Sequence, residues 1–169
     1  MNGDLDVHLD LRRATLALDA RFAAPVGVTT ALLGPNGAGK STALAAVAGL
    51  LPLDAGHVRL GTVALDEPAT DLLVPASERR VGVVFQDGRL FDHLTVRDNV
   101  AFGPRSRGAS RTAARAVADG WLDRVGCTAL AERRPPALSG GEAQRVALAR
   151  ALATDPDLLL PGQVLRPPP

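Results

Sequence analysis

The chain of 169 residues contains one cysteine, one tryptophan, one lysine, no tyrosine and no isoleucine. A lone thiol, Cys127, cannot close an internal disulfide, which excludes the disulfide-framed secreted scaffolds and makes a reducing compartment the expectation. Long apolar runs are missing too. The longest, residues 43–51, is interrupted by Gly49 and stopped by Pro52, well short of the roughly 20 residues a bilayer-spanning helix needs. The opening Met1, Asn2, Gly3, Asp4 has neither the basic start nor the apolar stretch of a signal peptide. A formal net charge of +1 supplies no field to attract a polyanion, so no nucleic-acid partner is expected. His8, His57 and His93 lack metal-ligand spacing, and Cys127 has no catalytic companion in sequence. What remains, with 46% hydrophobic and 22% charged residues in 17.5 kDa, is an ordinary globular domain.

Of the 19 basic residues, Lys40 is the only lysine. Where arginine serves for every other positive charge, a solitary lysine marks a position that needs a compact ammonium rather than a planar fork. Its neighbours supply the reason. The β-prone run Val28 to Leu33 has no helical period and predicts a buried parallel strand. It leads into Gly34, Pro35, Asn36, Gly37, Ala38, Gly39, Lys40, Ser41 and Thr42, then into a helix-forming stretch that ends near Gly49. Strand, glycine loop and helix form a phosphate cradle: backbone N–H groups wrap the anion, Lys40 reaches the β- and γ-phosphates, and the Ser41 hydroxyl can ligate Mg²⁺.

Leu138, Ser139, Gly140, Gly141 and Glu142 open a further predicted helix through Leu152, just after Pro135 and Pro136. A serine and two glycines at a helix start make a second anion-binding end. Between the two motifs, Thr95 with Asp98 predicts a capped helix start, and residues 111–125 carry Ala114, Val117, Ala118, Trp121, Leu122 and Val125 on one face before Gly126. Trp121 is expected in a core rather than stacked on a ligand.

Taken together, Gly34 to Thr42 and Leu138 to Glu142 resemble the nucleotide-binding subunit of an ABC transporter. Glu78 to Asp87 resembles that family's Q-loop strand, and Leu90 to Val100 the segment that meets the membrane subunit. The phrase around Gln86 is most similar to bacterial importer ATPases of the molybdate group. The resemblance implies an α/β fold with a glycine-loop core over residues 1–86 and 153–160, an antiparallel β edge, a helical signature subdomain over 87–152, and an irregular proline-rich tail over 161–169. It implies ATP and Mg²⁺ as cofactors, held by Gly34, Asn36, Gly37, Gly39, Lys40, Ser41, Thr42 and Gln86, with Ser41 and Gln86 on the metal. Ser139, Gly140, Gly141 and Glu142 would face the nucleotide of a second ATP-binding subunit in a head-to-tail dimer. The implied partners are a membrane-embedded permease and, indirectly, a solute-binding protein, with the chain cytoplasmic and peripheral on the membrane. Arg79 has no role in this reading, and Arg79→Ala is expected to leave ATP binding nearly unchanged.

Hydrolysis on this fold needs an Asp that holds Mg²⁺ through water and a Glu that polarises the attacking water, both at the end of a buried strand. Asp66 and Glu67 look like that pair, but they follow Val58 to Leu60 across Gly61 in a pattern of short antiparallel strands, so they are expected to be turn residues. After Leu158, Leu159 and Leu160, where the resemblance places a further apolar residue, the Asp and the Glu, stand Pro161, Gly162 and Gln163. The expectation is a chain truncated or frameshifted before the carboxylates, binding ATP without hydrolysing it and unstable alone. The other readings are a nonhydrolytic nucleotide-binding or interaction module and a soluble ABC protein without membrane partners. An aromatic residue to stack on adenine is missing upstream of the loop; Arg12 or Arg13 could stack in its place.

Overall fold

A computed structural model describes residues 3–13, 16–85 and 88–162, with the side chains of Arg13 and Leu16 outside that description. The described residues up to Val81 form one compact unit and those from Gly82 onward a second.

The first unit is built on strict alternation. In β1 (Leu5–Arg13), Leu5, Val7, Leu9 and Leu11 are buried, while Asp6, His8 and Asp10 take the opposite face, the period of 2 that a half-buried strand requires. β1 pairs antiparallel with β2 (Leu16–Ala24) on one side and with β3 (Ala55–Leu60) on the other. β4 (Val63–Glu67) and the two-residue β5 (Leu72–Leu73) continue the sheet in the order β2-β1-β3-β4-β5. The expected antiparallel turn across Gly61 is present as the β3–β4 hairpin. Its register steps from Val58↔Asp66 to Arg59↔Ala64, so Leu65 is the extra residue of a β-bulge. The bulge puts two consecutive side chains, Leu65 and Asp66, into the interior. Helix α1 (Lys40–Val47) buries Ala43, Ala46 and Val47.

The expected strand at Val28 to Leu33 does not form. These residues are irregular, and Val28 and Leu33 are 63% and 69% exposed. A parallel strand is made by its neighbours' hydrogen bonds, and among the described residues no strand pairs with this run.

The second unit contains the two-stranded sheet of β6 (Val81–Val84) and β7 (Leu158–Pro161), and three helices. Helix α2 (Val96–Ser106) starts at Thr95, whose hydroxyl accepts from Asp98 N–H at 3.1 Å. α3 (Arg111–Arg124) starts at Ser110, whose hydroxyl accepts from Ala113 N–H at 3.2 Å, and α4 (Gly140–Leu152) starts at Ser139. Val96, Val100, Ala114, Ala118, Leu122, Cys127, Val146 and Ala149 close one core, with Trp121 packed at its margin. The Asp98 carboxylate does not return to Thr95 as a reciprocal cap. It takes Arg115 bidentately at 3.0 Å from each of two nitrogens. Buried Asn99 ties the preceding loop down: its Oδ1 accepts from Phe91 N–H at 2.8 Å and its amide donates to the carbonyls of Phe91 and Thr95.

Candidate functional site

The glycine loop takes its shape from two residues in the left-handed region, Gly37 at φ 81° and Gly39 at φ 82°. Any side chain at either position would be strained, and at Gly39 a Cβ would also press on Leu18 at 3.0 Å. Gly39 is the N-cap of α1 without a side-chain cap, so the first N–H groups of the helix, from Lys40 through Thr42, are unpaired within it and carry its positive dipole end. No acidic residue stands in that first turn. Lys40 folds back over the loop, its Nζ donating to the carbonyls of Gly34 at 2.7 Å and Pro35 at 2.6 Å. An ammonium has three protons, so one remains for an anion seated in the loop. Gly34 to Ala38 and Ser41 are exposed, which presents the cradle to solvent. The donor set fits a polyphosphate: backbone N–H groups, one ammonium and one hydroxyl, with no carboxylate in the first helical turn.

For Mg²⁺ the described residues supply Ser41 alone. Gln86, expected as the second ligand and as the coupling residue, lies outside the described residues, as does Gln163. Among the described residues, no group of three His, Cys, Asp or Glu side chains could hold a metal ion.

The helix start at Ser139, expected as a second anion-binding end, belongs to the second unit. Ser139 caps α4 with a reciprocal box: its hydroxyl oxygen accepts from Glu142 N–H at 3.4 Å, and Glu142 Oε2 accepts from Ser139 N–H at 2.7 Å and from its hydroxyl at 2.8 Å. These hydrogen bonds, the backbone one foremost, hold the Glu142 carboxyl below the ordinary glutamate range. Glu142 therefore acts through Ser139 and is not turned outward as a ligand group. A Cβ at Gly140 would meet nothing within 4 Å, so the exposed helix start leaves room for a large anion.

The pair Asp66 and Glu67 lies on an antiparallel strand as expected, but Asp66 is no turn residue. It is 2% exposed, accepts from Leu53 N–H at 3.3 Å and faces Arg79 at 3.7 Å. Burial raises its pKa above the ordinary aspartate value, against the smaller opposing effects of that hydrogen bond and of Arg79. Glu67 ends β4 in an ion pair with Arg59. Both carboxylates are committed to structure.

Arg79, which has no role in the sequence reading, is placed in the interior. Its side chain is fully buried, and its guanidinium donates to the carbonyls of Ala46, Val47, Leu65 and Val74 at 2.8–3.1 Å. A second arginine overlooked in sequence, Arg150 on α4, donates to the carbonyls of Gly88 at 3.0 Å and Arg89 at 2.8 Å and lies over the Phe91 ring. Its burial lowers its pKa. It ties the signature helix to the loop beside Gln86. The sequence signal was available: Arg150 interrupts an otherwise apolar helix end. Of the two adenine-stacking candidates, Arg12 is largely exposed beside Asp10, and the side chain of Arg13 lies outside the described residues.

A glycine loop feeding a helix, an antiparallel sheet and a helical unit with a capped Ser-Gly-Gly start define a nucleotide-binding α/β domain. The family model described as "ABC transporter" matches residues 18–161, and the chain belongs to that family as an ATP-binding domain related to bacterial importer ATPases. It is 52% identical over 147 residues to the molybdenum import ATP-binding protein ModC of Mycobacterium tuberculosis, covering 85% of this chain and 40% of that protein. It is 54% identical over 129 residues to the Fe(3+) ions import ATP-binding protein FbpC of Streptomyces coelicolor, covering 76% and 35%. Among solved structures, cbiO1 of Clostridium perfringens, part of the ABC transporter complex cbiONQ, matches with a TM-score of 0.77 at 26% identity, covering 95% of this chain and 65% of that one. The chain thus spans about two fifths of the length of these curated importer relatives. Among the described residues, no helix is long and apolar enough to cross a membrane.

Proposed function

We propose that the chain binds ATP, with Mg²⁺, at the loop Gly34 to Thr42 and serves as the ATP-binding part of an importer. The observation that carries this is the geometry at Lys40: a glycine loop shaped by two left-handed residues, its lysine held over the cradle by two carbonyls, at the start of a helix with no acidic first turn. Gly34, Asn36, Gly37 and Gly39 would supply loop backbone to the phosphates, Lys40 the charge, and Ser41 and Gln86 the metal contacts. Ser139, Gly140 and Gly141 would close over the nucleotide of a second such subunit, head to tail, with Glu142 holding Ser139 in place.

The family relation supports a permease partner on the cytoplasmic membrane face and a solute-binding protein upstream of it. The related importers carry molybdenum, Fe(3+) and, in the sulfate/thiosulfate protein of Mycobacterium bovis that is 46% identical over 146 residues, sulfur oxyanions. We infer an inorganic oxyanion as the solute, molybdate first. Binding without hydrolysis is the reading favoured for this chain, because Gly162 and Gln163 occupy the positions where the family resemblance places the Asp and the Glu, and Asp66 and Glu67 are engaged elsewhere. Calorimetric titration of MgATP into the parent and Lys40→Ala proteins tests the site: the parent binds and the variant does not.

A further inference from the structure

A fully buried arginine is expensive unless its donors are answered, and Arg79 makes four hydrogen bonds and one ion pair. Nε donates to Val74 O at 2.8 Å, one terminal nitrogen to both Ala46 O and Val47 O at 3.1 and 2.9 Å, and the other to Leu65 O at 2.9 Å while facing Asp66 Oδ2 at 3.7 Å. The acceptors have a common character: they lie where regular structure ends or is interrupted. Leu65 is the bulged residue of β4, and Ala46 and Val47 are the last carbonyls of α1.

The end of α1 is prepared for this contact. Gly49 is left-handed at φ 77°, and the bonds from Gly49 N–H to Ala46 O and from Leu50 N–H to Ala45 O, both 2.9 Å, make a Schellman closure. That closure satisfies Ala45 and Ala46 and leaves Val47 O to the guanidinium. A Cβ at Gly49 would come within 2.6 Å of Arg79 Nε, so glycine is required there by conformation and by the arginine's approach alike. A cation at this end also neutralises the negative pole of the helix whose positive pole faces the loop.

We propose that Arg79 is a positioning residue for the phosphate loop: by locking the C-terminal end of α1 to the bulge of β4 and to Val74, it fixes the direction of the helix whose first residues are Lys40, Ser41 and Thr42. An eight-residue helix is a rod of about 12 Å. Anchoring one end sets where the N–H groups and the ammonium stand at the other. The proposal rests on the reading of that loop as the nucleotide site.

The test is MgATP affinity by calorimetry at 10 °C, on variants shown to be folded by circular dichroism, with hydrogen exchange of residues 44–50 measured alongside. Arg79→Lys keeps the charge and loses the fork. Gly49→Ala leaves Arg79 in the chain and pushes against its guanidinium, and it carries the test if Arg79→Lys does not fold. Val58→Ala, in the buried core of β3, is the control for lost stability alone. The expected result is faster exchange over 44–50 and a loss of affinity of about tenfold or more in Arg79→Lys and Gly49→Ala, with parental affinity in Val58→Ala. Parental affinity in the folded Arg79→Lys and Gly49→Ala proteins overturns the proposal, as does an equal loss in Val58→Ala. A parent that binds no better than Lys40→Ala overturns the nucleotide reading itself, and the positioning role with it; a failure confined to the Arg79 and Gly49 predictions leaves that reading standing.

Discussion

Glu142 Oε2 accepts both hydrogens that Ser139 offers, the backbone N–H at 2.7 Å and the hydroxyl at 2.8 Å, and so fixes the first turn of the helix that would face a nucleotide. The serine thus has a structural task before any ligand arrives. Ser139→Ala is expected to cost the second unit about 1 kcal/mol, the usual value of an N-cap. Urea denaturation followed at Trp121, the chain's one tryptophan and a residue of that unit, measures it.

The same box sets a pH dependence. A carboxyl whose folded pKa is depressed binds fewer protons folded than unfolded, so its contribution to stability is present above the ordinary glutamate range and is lost as pH falls through the folded pKa. Acidification through that range should open the Ser139–Glu142 contact and speed exchange at Gly141 and Glu142 amides. Glu142→Gln should flatten this dependence, and a Glu142 carboxyl titrating by NMR at the ordinary glutamate value would contradict it.

Asn99 is buried; its Oδ1 accepts from Phe91 N–H, and its amide shares the Phe91 carbonyl with Leu94 N–H. Asn99→Ala takes away the Phe91 N–H contact, at about 1–3 kcal/mol for a buried polar group stranded. The expected outcome is a loss of about 2 kcal/mol in denaturant unfolding and faster exchange over residues 91–95, the stretch that resembles the permease-facing segment. A loss below about 0.5 kcal/mol would mean that this loop is held by other contacts.

The parts legible in sequence were those written in a few consecutive residues. Thr95, Ser139 with Glu142, and the left-handed Gly126 after α3 announce helix ends locally, and the structure places them there. The Lys40 loop is legible for the same reason. The alternation of Leu5, Val7, Leu9 and Leu11 announces β1 equally well. What could not be read depends on distant partners. Val28 to Leu33 has the composition of a buried strand, but a strand exists only where neighbours pair with it. Asp66 is buried because a bulge turns it inward and Leu53 and Arg79 meet it there, 13 residues away on either side. Arg79 looks like any surface arginine until the carbonyls at the end of α1 and at the bulge of β4 converge on it.

Catalysis is expected to be at background. A positioned general base is typically worth about 10²- to 10⁴-fold, and Pro161, Gly162 and Gln163 offer no carboxylate. Steady-state phosphate release from the parent, Lys40→Ala and Glu67→Gln proteins should be indistinguishable. Turnover in the parent that both substitutions remove would make Asp66 and Glu67 the working pair, against the burial of Asp66 and the engagement of the two with Arg79 and Arg59.

The central claim is that the loop around Lys40 receives a nucleoside triphosphate. Titration of MgATP into the parent protein and into Lys40→Ala, monitored by calorimetry under one set of conditions, tests it most directly. Saturable binding by the parent that is lost in Lys40→Ala is the predicted result. Equal affinity in the two proteins, or no binding by a folded parent, would contradict it.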